Sequence, residues 1–282
     1  MTTAHEIREI ADRTWEIGEF DCDSMFLLEG DEKALLIDTG IGIGDLPAVI
    51  RKLTDKPVTL VLSHGHPDHV GGMGAFAEAW LSREDWFSMF RISPDVAGRK
   101  GYAAFIRNRS GLTYPYDPET DILPWPQIPH ILPLVDGQVF DLGGRIVTAH
   151  ACPCHTAGSM VFLDKSRRLL LAGDAVNCNL LLAGTPGTPG FVSIETALSS
   201  YRKLEEMKPQ YDRMYNGHYD FRPFGEPLDP ETLTNAIACC ADLVAGTYEE
   251  RMEPNMFPGG PDQTVIRKGR VKVVYNKDGI FD

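Results

Sequence analysis

The sequence predicts a layered α/β fold, and three observations carry that expectation. Two pairs of short apolar runs, residues 24–29 with 34–40 and residues 159–163 with 168–174, read as β-hairpins closed by Asp-containing turns. Stretches with apolar residues at helical spacing lie between and after them, at 41–54 and 193–208. The 282-residue length suits a layered fold of this kind in one body, with enough buried surface for a sizeable core.

The elements follow in order. The first hairpin turns at Gly30-Asp31, and its second run ends at Asp38 with Gly40 just beyond. Residues 41–54 are expected as a helix with Leu46, Val49, Ile50 and Leu53 on one stripe. Val58-Thr59-Leu60-Val61-Leu62 is short, β-rich and without alternation, which suits a strand buried on both faces. Residues 74–81 are expected as the next helix. Residues 82–136 hold Trp86, Phe87, Phe90, Tyr102, Phe105, Tyr114, Tyr116 and Trp125 among several prolines, and read as an insertion of helices and loops over one end of the core.

Strand patterning resumes at 145–150 and leads to the second hairpin, which echoes the first. Ser24 precedes Ser159 by 135 residues and Asp38 precedes Asp174 by 136. Each hairpin opens with Ser-Met and delivers an aspartate at a strand end, as two related halves facing one another would. Residues 193–208 form a helix with Ile194, Leu198, Tyr201, Leu204 and Met207 on its stripe. A further helix is expected at 230–250, and a hairpin at 264–281 around Asn276-Lys277-Asp278-Gly279. No linker-like stretch divides the chain. The expectation is one domain over 1–282, with a substrate-covering insertion at 82–136 and a C-terminal helix plus hairpin at 230–282.

Composition narrows the class. Hydrophobic residues at 43% and charged residues at 24% exclude disorder and collagen. No run of 18 apolar residues offers a membrane span. The net charge of -13, from 27 basic and 40 acidic side chains, repels polyanions and argues against a nucleic-acid partner. The first residues lack the basic and apolar regions of a secretory signal. Six cysteines are too sparse for a disulfide scaffold, and Cys152-Pro153-Cys154 has one residue between its thiols where zinc knuckles have two. A cytoplasmic protein with reduced thiols is expected.

The decisive segment is His64-Gly65-His66-Pro67-Asp68-His69, an H-x-H-x-D-H pattern. At this composition it arises by chance in roughly 5 of 10,000 chains of this length. Neutral imidazole is a good ligand for zinc and other borderline divalent metals. In a tight turn after a strand, His64 and His66 can point to one side while Asp68 and His69 face a second position. Four ligands at these offsets supply parts of two sites, so further ligands must come from later strand ends. The candidates are His155, Asp174 in Ala172-Gly173-Asp174, and His218 in Asn216-Gly217-His218.

The ordered set Asp38, His64, His66, Asp68, His69, His155, Asp174 and His218 resembles the metallo-β-lactamase fold superfamily. All five of its sequence motifs match, between residues 38 and 218. The resemblance implies a four-layer αββα sandwich with two divalent metal ions at one edge, Zn2+ first and Fe or Mn as alternatives. It implies that His64, His66 and His155 hold the first ion, that Asp68, His69 and His218 hold the second, and that Asp174 bridges both. Asp38 is carried over as a group that fixes the motif turn, since ligating histidines need a partner for their other nitrogen. His150, Cys152 and Cys154 are expected to pack near His155.

Two metals a few ångströms apart lower the pKa of a bridging water from about 15.7 towards about 7, which creates hydroxide at neutral pH. The expected function is a dinuclear metal-dependent hydrolase whose bridging hydroxide attacks a small ester, lactone or thioester, with Asp68 as the catalytic proton carrier. Complete motifs with Asp174 are similar to hydroxyacyl-glutathione thioesterases, acyl-homoserine lactonases and tRNA-processing phosphodiesterases, and the acidic balance disfavours the last. A different chemistry, that of the mononuclear iron-dependent persulfide dioxygenases, uses a similar H-x-H-x-D-H turn. Arg99, Lys100, Arg107 and Arg109, interleaved with Tyr102 and Phe105, offer a place for a small anion beside an apolar wall. Arg107, Tyr102 and Tyr116 are the substrate-contact candidates. A small-molecule substrate is the expected partner, and a homodimer is one assembly that the sequence leaves open.

Overall fold

The computed structural model describes residues 1–20, 23–92, 95–110, 116–219, 222–256 and 259–282. The chain opens with a hairpin that the sequence patterning did not announce, β1 (Glu6–Ala11) and β2 (Thr14–Glu19). Glu16 and Glu19 on β2 are acidic yet buried, which hid the strand pattern. Glu16 faces the Arg222 guanidinium at 2.6 Å, and Glu19 accepts backbone N–H bonds from Ile41, Gly42 and Ile43. A buried carboxylate needs such partners to repay its desolvation.

The first expected hairpin is present as β3 (Asp23–Glu29) and β4 (Ala34–Ile37), with Phe26 opposite Ile37. The helix expected at 41–54 is shorter, α1 (Leu46–Ile50). Gly40, Gly42 and Gly44 all take positive φ and keep that stretch as a loop until Asp45 caps the helix, with Pro47 in its first turn. Then come β5 (Val58–Val61) and α2 (Pro67–Val70). The expected helix at 74–81 is instead a short 3-10 turn followed by β6 (Glu78–Leu81), a strand parallel to β5. Its alternation decides the outcome: Ala79 and Leu81 are buried while Glu78 faces solvent.

The 82–136 region carries α3 (Trp86–Ile92), α4 (Val96–Ser110) and α5 (Pro118–Asp121), then returns to the sheet as β7 (His130–Pro133), parallel to β6. Strands β1 to β7 form one seven-stranded sheet in sequence order. The second sheet has the order β13-β11-β10-β9-β8. It contains β8 (Val139–Asp141), β9 (Ile146–Ala151), the second hairpin β10 (Met160–Asp164) and β11 (Leu169–Leu171), and β13 (Arg213–Tyr215). Between β11 and β13 lie β12 (Asn179–Leu182) and α6 (Ile194–Glu206). Ser193 caps α6 by accepting from Thr196 N–H, as a helix start requires.

The chain ends with α7 (Thr232–Ala245), β14 (Arg251–Glu253), β15 (Gln263–Lys268) and β16 (Val271–Tyr275). A third sheet takes the order β12-β16-β15-β14. The final hairpin turns at Gly269-Arg270, where Gly269 has φ 52°. The Asn276–Gly279 stretch that was expected as the turn is a 3-10 segment after β16, with Asn276 capping it.

Layering follows from strand alternation. Phe26, Leu28, Leu35, Ile37 and Val61 face Val147, Phe162, Leu169 and Leu171 of the second sheet. Leu27, Leu36 and Leu60 point the other way, onto α1 and α2. Val161, Leu163 and Leu170 pack outward against α6 and α7. The result is helices, sheet, sheet, helices, as the αββα expectation has it. Each fully buried Leu, Ile or Phe contributes roughly 1.5–3 kcal/mol relative to exposure. The two hairpins lie in opposite sheets, so Asp38 after β4 and Asp174 after β11 meet at one edge.

Candidate metal centre

Asp38 sits just past β4 with φ 64°, a left-handed backbone that a side chain rarely adopts. That turn aims its carboxylate at the next strand end. Oδ1 accepts from Ser63 N–H at 2.7 Å, and Oδ2 accepts from Ser63 Oγ–H at 2.7 Å and from His69 Nδ1–H at 3.0 Å. Asp38 therefore holds both the start of the His64–His69 turn and the last ring in it.

The remaining rings are held in the same manner. Ser63 Oγ gives its proton to Asp38, so it accepts from His64 Nδ1 at 3.1 Å. His155 Nδ1 faces the Leu181 carbonyl at 3.3 Å and donates to it. His218 Nδ1 faces Asp23 Oδ1 at 3.2 Å. A neutral imidazole has one donor and one acceptor nitrogen. Each of these four rings is thus held at its Nδ1 and turns its Nε2 towards a common centre.

Three overlapping groups of ligand atoms converge there, each with its atoms within 4.8 Å of one another: His64, His66 and His155; Asp23, Asp68, His69 and His218; and His64, His69 and Asp174, which straddles the other two. In the first, His66 Nδ1 lies 3.1 Å from His64 Nε2 and 2.9 Å from His155 Nε2. Tetrahedral zinc with bonds of about 2.0–2.1 Å would space nitrogens by roughly 3.3 Å. Asp174 reaches both groups. Its Oδ2 is 3.0 Å from His218 Nε2 and 3.7 Å from His155 Nε2, and its Oδ1 is 3.6 Å from His69 Nε2. That last separation is too long for a hydrogen bond, so His69 Nε2 and Asp174 Oδ1 are buried without a partner.

Orphaned acceptors and crowded lone pairs of this kind fit a cation. Electrostatics agree. Burial, then His69 and His66, push His64 well below the ordinary histidine value, and burial takes His155 down to about 4. Burial alone would raise Asp174, but His218 and His69 hold its carboxyl well below the usual range. Burial would lower His69, yet Asp174 and Asp68 raise it well above 6.5. A cation at this place would balance the same carboxylates that raise His69.

Three contributors escaped the sequence. Asp23, at the head of β3, orients His218 and also joins it in a backbone bridge. Its signal was faint: an aspartate immediately before the Ser-Met run. Asp85 accepts from Gly65 N–H at 2.8 Å, Thr156 Oγ–H at 2.8 Å and Gly158 N–H at 3.0 Å, clamping the histidine turn to the His155 loop. Glu19 secures the loop after Asp38. Neither residue has a sequence signal, because each acts on backbone amides far away in the chain. Gly217 is required by space, since a Cβ there would lie 2.5 Å from His69 Cε1 and 2.8 Å from Asp174 Oδ1.

Of the basic residues offered for a small anion, Arg99 is committed elsewhere, buried and turned to backbone carbonyls. Lys100 pairs with Glu119 at 2.5 Å, and Arg107 lies over the Tyr116 ring at 5.5 Å from its centroid. Tyr116 itself packs with Phe20, Ile41, Ile43, Ala103 and Ile122. Tyr102 does reach the centre, donating from Oη to Asp68 Oδ2 at 2.6 Å. Tyr114 and the Arg109 side chain lie outside the described residues. Cys152 and Cys154 are buried in the core under α6, as expected.

The family model of the metallo-beta-lactamase superfamily matches residues 18–218. The chain belongs to that superfamily. Among curated relatives, the acyl-coenzyme A thioesterase MBLAC2 of Bos taurus is 28% identical over 234 residues, 75% of this chain and 77% of its own. The atrochrysone carboxyl ACP thioesterase of Aspergillus fumigatus is 26% identical over 186 residues, 64% of this chain and 46% of its own. A solved metallo-beta-lactamase from Pontibacter korlensis superposes with TM-score 0.55 at 17% identity, covering 84% of this chain and 99% of that one. At that identity the likeness is one of fold. The superfamily and its thioesterase members make this chain a metal-dependent hydrolase. Among the described residues, no helix is long and apolar enough to cross a membrane.

Proposed function

We propose that this superfamily member is a dinuclear hydrolase of small acyl esters, with an acyl thioester as the preferred class over a simple ester or lactone. The observation that supports the reading is the convergence of four oriented imidazole Nε2 atoms, His66 Nδ1, Asp68 and Asp174 on one centre, in overlapping groups that could hold metal ions. The thioester preference draws support from two relatives that are named as thioesterases of a coenzyme A and of an acyl carrier protein. The complete two-group ligand set favours hydrolysis over the single-iron dioxygenase chemistry.

His64, His66 and His155 would hold one ion, and Asp68, His69 and His218 the other, with Asp174 between them. When bound, two divalent cations supply Lewis acidity, which acidifies water and polarises an acyl carbonyl. The chain's own part is proton handling and orientation. Burial alone would raise Asp68, but His69 and His218 hold it below the usual carboxylate range, so it is an anion at neutral pH. An anionic Asp68 can take a proton from water as its oxygen attacks the carbonyl carbon. It returns that proton to the sulfur as the C–S bond breaks, giving a carboxylic acid and a free thiol, and the acid then releases its remaining proton to solvent as the carboxylate. Asp38 and Asp23 keep the rings oriented throughout, which removes reorganisation from the barrier.

Chelation of the purified protein should abolish hydrolysis across a panel of acyl thioesters, esters and lactones, and zinc should restore it. The thioesters should turn over fastest. Full activity in a metal-free sample would sink the reading, and activity confined to phosphodiesters would redirect it.

A further inference from the structure

One face of α4 is tied into the metal centre. Arg99 is only 2% exposed, and its two Nη groups donate to main-chain carbonyls. Nη1 donates to Ile41 O at 3.2 Å and Gly71 O at 3.1 Å, and Nη2 donates to Leu123 O at 2.6 Å. The first two carbonyls belong to the loop after Asp38 and to the turn after His69. Tyr102 lies three residues further along, on the same helix face. Its phenol donates to Asp68 Oδ2 at 2.6 Å. Ala103 and Ile106 are buried beside it and fix the rotation of α4.

This support differs in origin from that of the histidines. Ser63, Asp38, Leu181 and Asp23 hold their rings from strand ends and adjoining loops. Asp68 is gripped from an inserted helix. A carboxylate oxygen carries two lone-pair sites. The phenol occupies one on Oδ2 and restricts rotation of the carboxylate, while the same oxygen faces His218 Nε2 at 3.9 Å.

We infer that Tyr102 is a positioning residue for the second metal site, set in place by the Arg99 anchor. It holds Asp68 in the orientation that accepts the second cation, so the insertion helix helps to build the centre as well as cover it. The inference rests on the reading of Asp68 as a ligand of that cation. Removing the phenol oxygen leaves the ring and its packing but frees the carboxylate to rotate, and that freedom must be lost again when a cation binds.

Metal-free wild type, Tyr102→Phe and Asp68→Asn proteins are titrated with zinc alone against a chromophoric chelator. Wild type should take two ions per chain. Tyr102→Phe should keep the tighter site unchanged and lose about 10- to 100-fold affinity at the weaker one, the range for partners behind a ligand. Amide exchange adds a readout independent of turnover: the second equivalent of zinc should slow exchange in residues 96–110 of wild type and leave Tyr102→Phe unaffected. Wild-type behaviour of Tyr102→Phe alongside a weakened Asp68→Asn overturns the role of Tyr102. Two undiminished sites in Asp68→Asn, or fewer than two in wild type, overturn the ligand reading beneath it.

Discussion

The two halves of the metal centre are built from different chemistry. The group of His64, His66 and His155 is all imidazole, and burial lowers the pKa of each ring, so its lone pairs are available at neutral pH. The group of Asp23, Asp68, His69 and His218 is rich in carboxylate, with Asp174 leaning on it from the seam. The first resembles a ready-made site for a borderline divalent metal. The second gathers carboxylates around His69, and Asp174 and Asp68 raise that ring against the effect of its burial. The contrast teaches that the two ions need not bind alike. The imidazole group should fill first and depend little on its surroundings, and the carboxylate group should fill second and depend on the residues that orient it.

The largest effect should come from the residue that joins the two groups. Asp174→Ala removes a carboxylate shared by both, and kcat/KM for thioester hydrolysis should fall on the order of 10³-fold, the rate equivalent of about 4 kcal/mol of lost charge stabilisation. Near-wild-type turnover would mean that Asp174 does not bridge. A smaller and one-sided effect is expected at Asp23. Asp23→Ala frees His218 to rotate, and affinity for the second zinc should drop about 10- to 100-fold while the first stays unchanged, as read by chelator competition. Equal losses at both sites would erase the distinction drawn between the groups.

The smallest effect lies away from the centre and separates metal-linked pH dependence from that of the fold. His5 packs on Phe20, and burial is the main cause that takes its pKa down from 6.5 to about 4, with Lys52 adding to the drop and Asp121 opposing it. Below pH 6.5 the unfolded chain takes up a proton that the folded chain refuses. The stability contribution is therefore intact above 6.5 and is lost as pH falls from 6.5 towards 4. His5→Leu should flatten the fall of the thermal midpoint over that window in chelated protein. An unchanged slope would show that other groups set it.

Legibility in the sequence tracked how local each cause was. Both central hairpins, strand β5 and helix α6 were readable because their apolar patterns are short-range and their partners adjacent. The H-x-H-x-D-H turn and the later His155, Asp174 and His218 were readable because ligand chemistry restricts residue type. What failed was decided by distant partners. β6 looked helical because its strand identity comes from lying between β5 and β7. β1 and β2 were hidden by Glu16 and Glu19, whose burial is repaid by Arg222 and by the amides of residues 41–43. Asp85 was silent and Asp23 faint for the same reason: an aspartate that orients a ring or clamps two loops carries no periodicity. Arg99 was read as an anion contact because nothing in the sequence tells an arginine bound to carbonyls from one facing a substrate.

Metal quantification on protein purified without added metal tests the central claim most directly. Two divalent ions per chain, with zinc restoring thioester hydrolysis after chelation, is the result expected of the two-group centre. One tightly bound iron per chain, with oxygen consumed on a sulfur substrate and no hydrolysis, would contradict it.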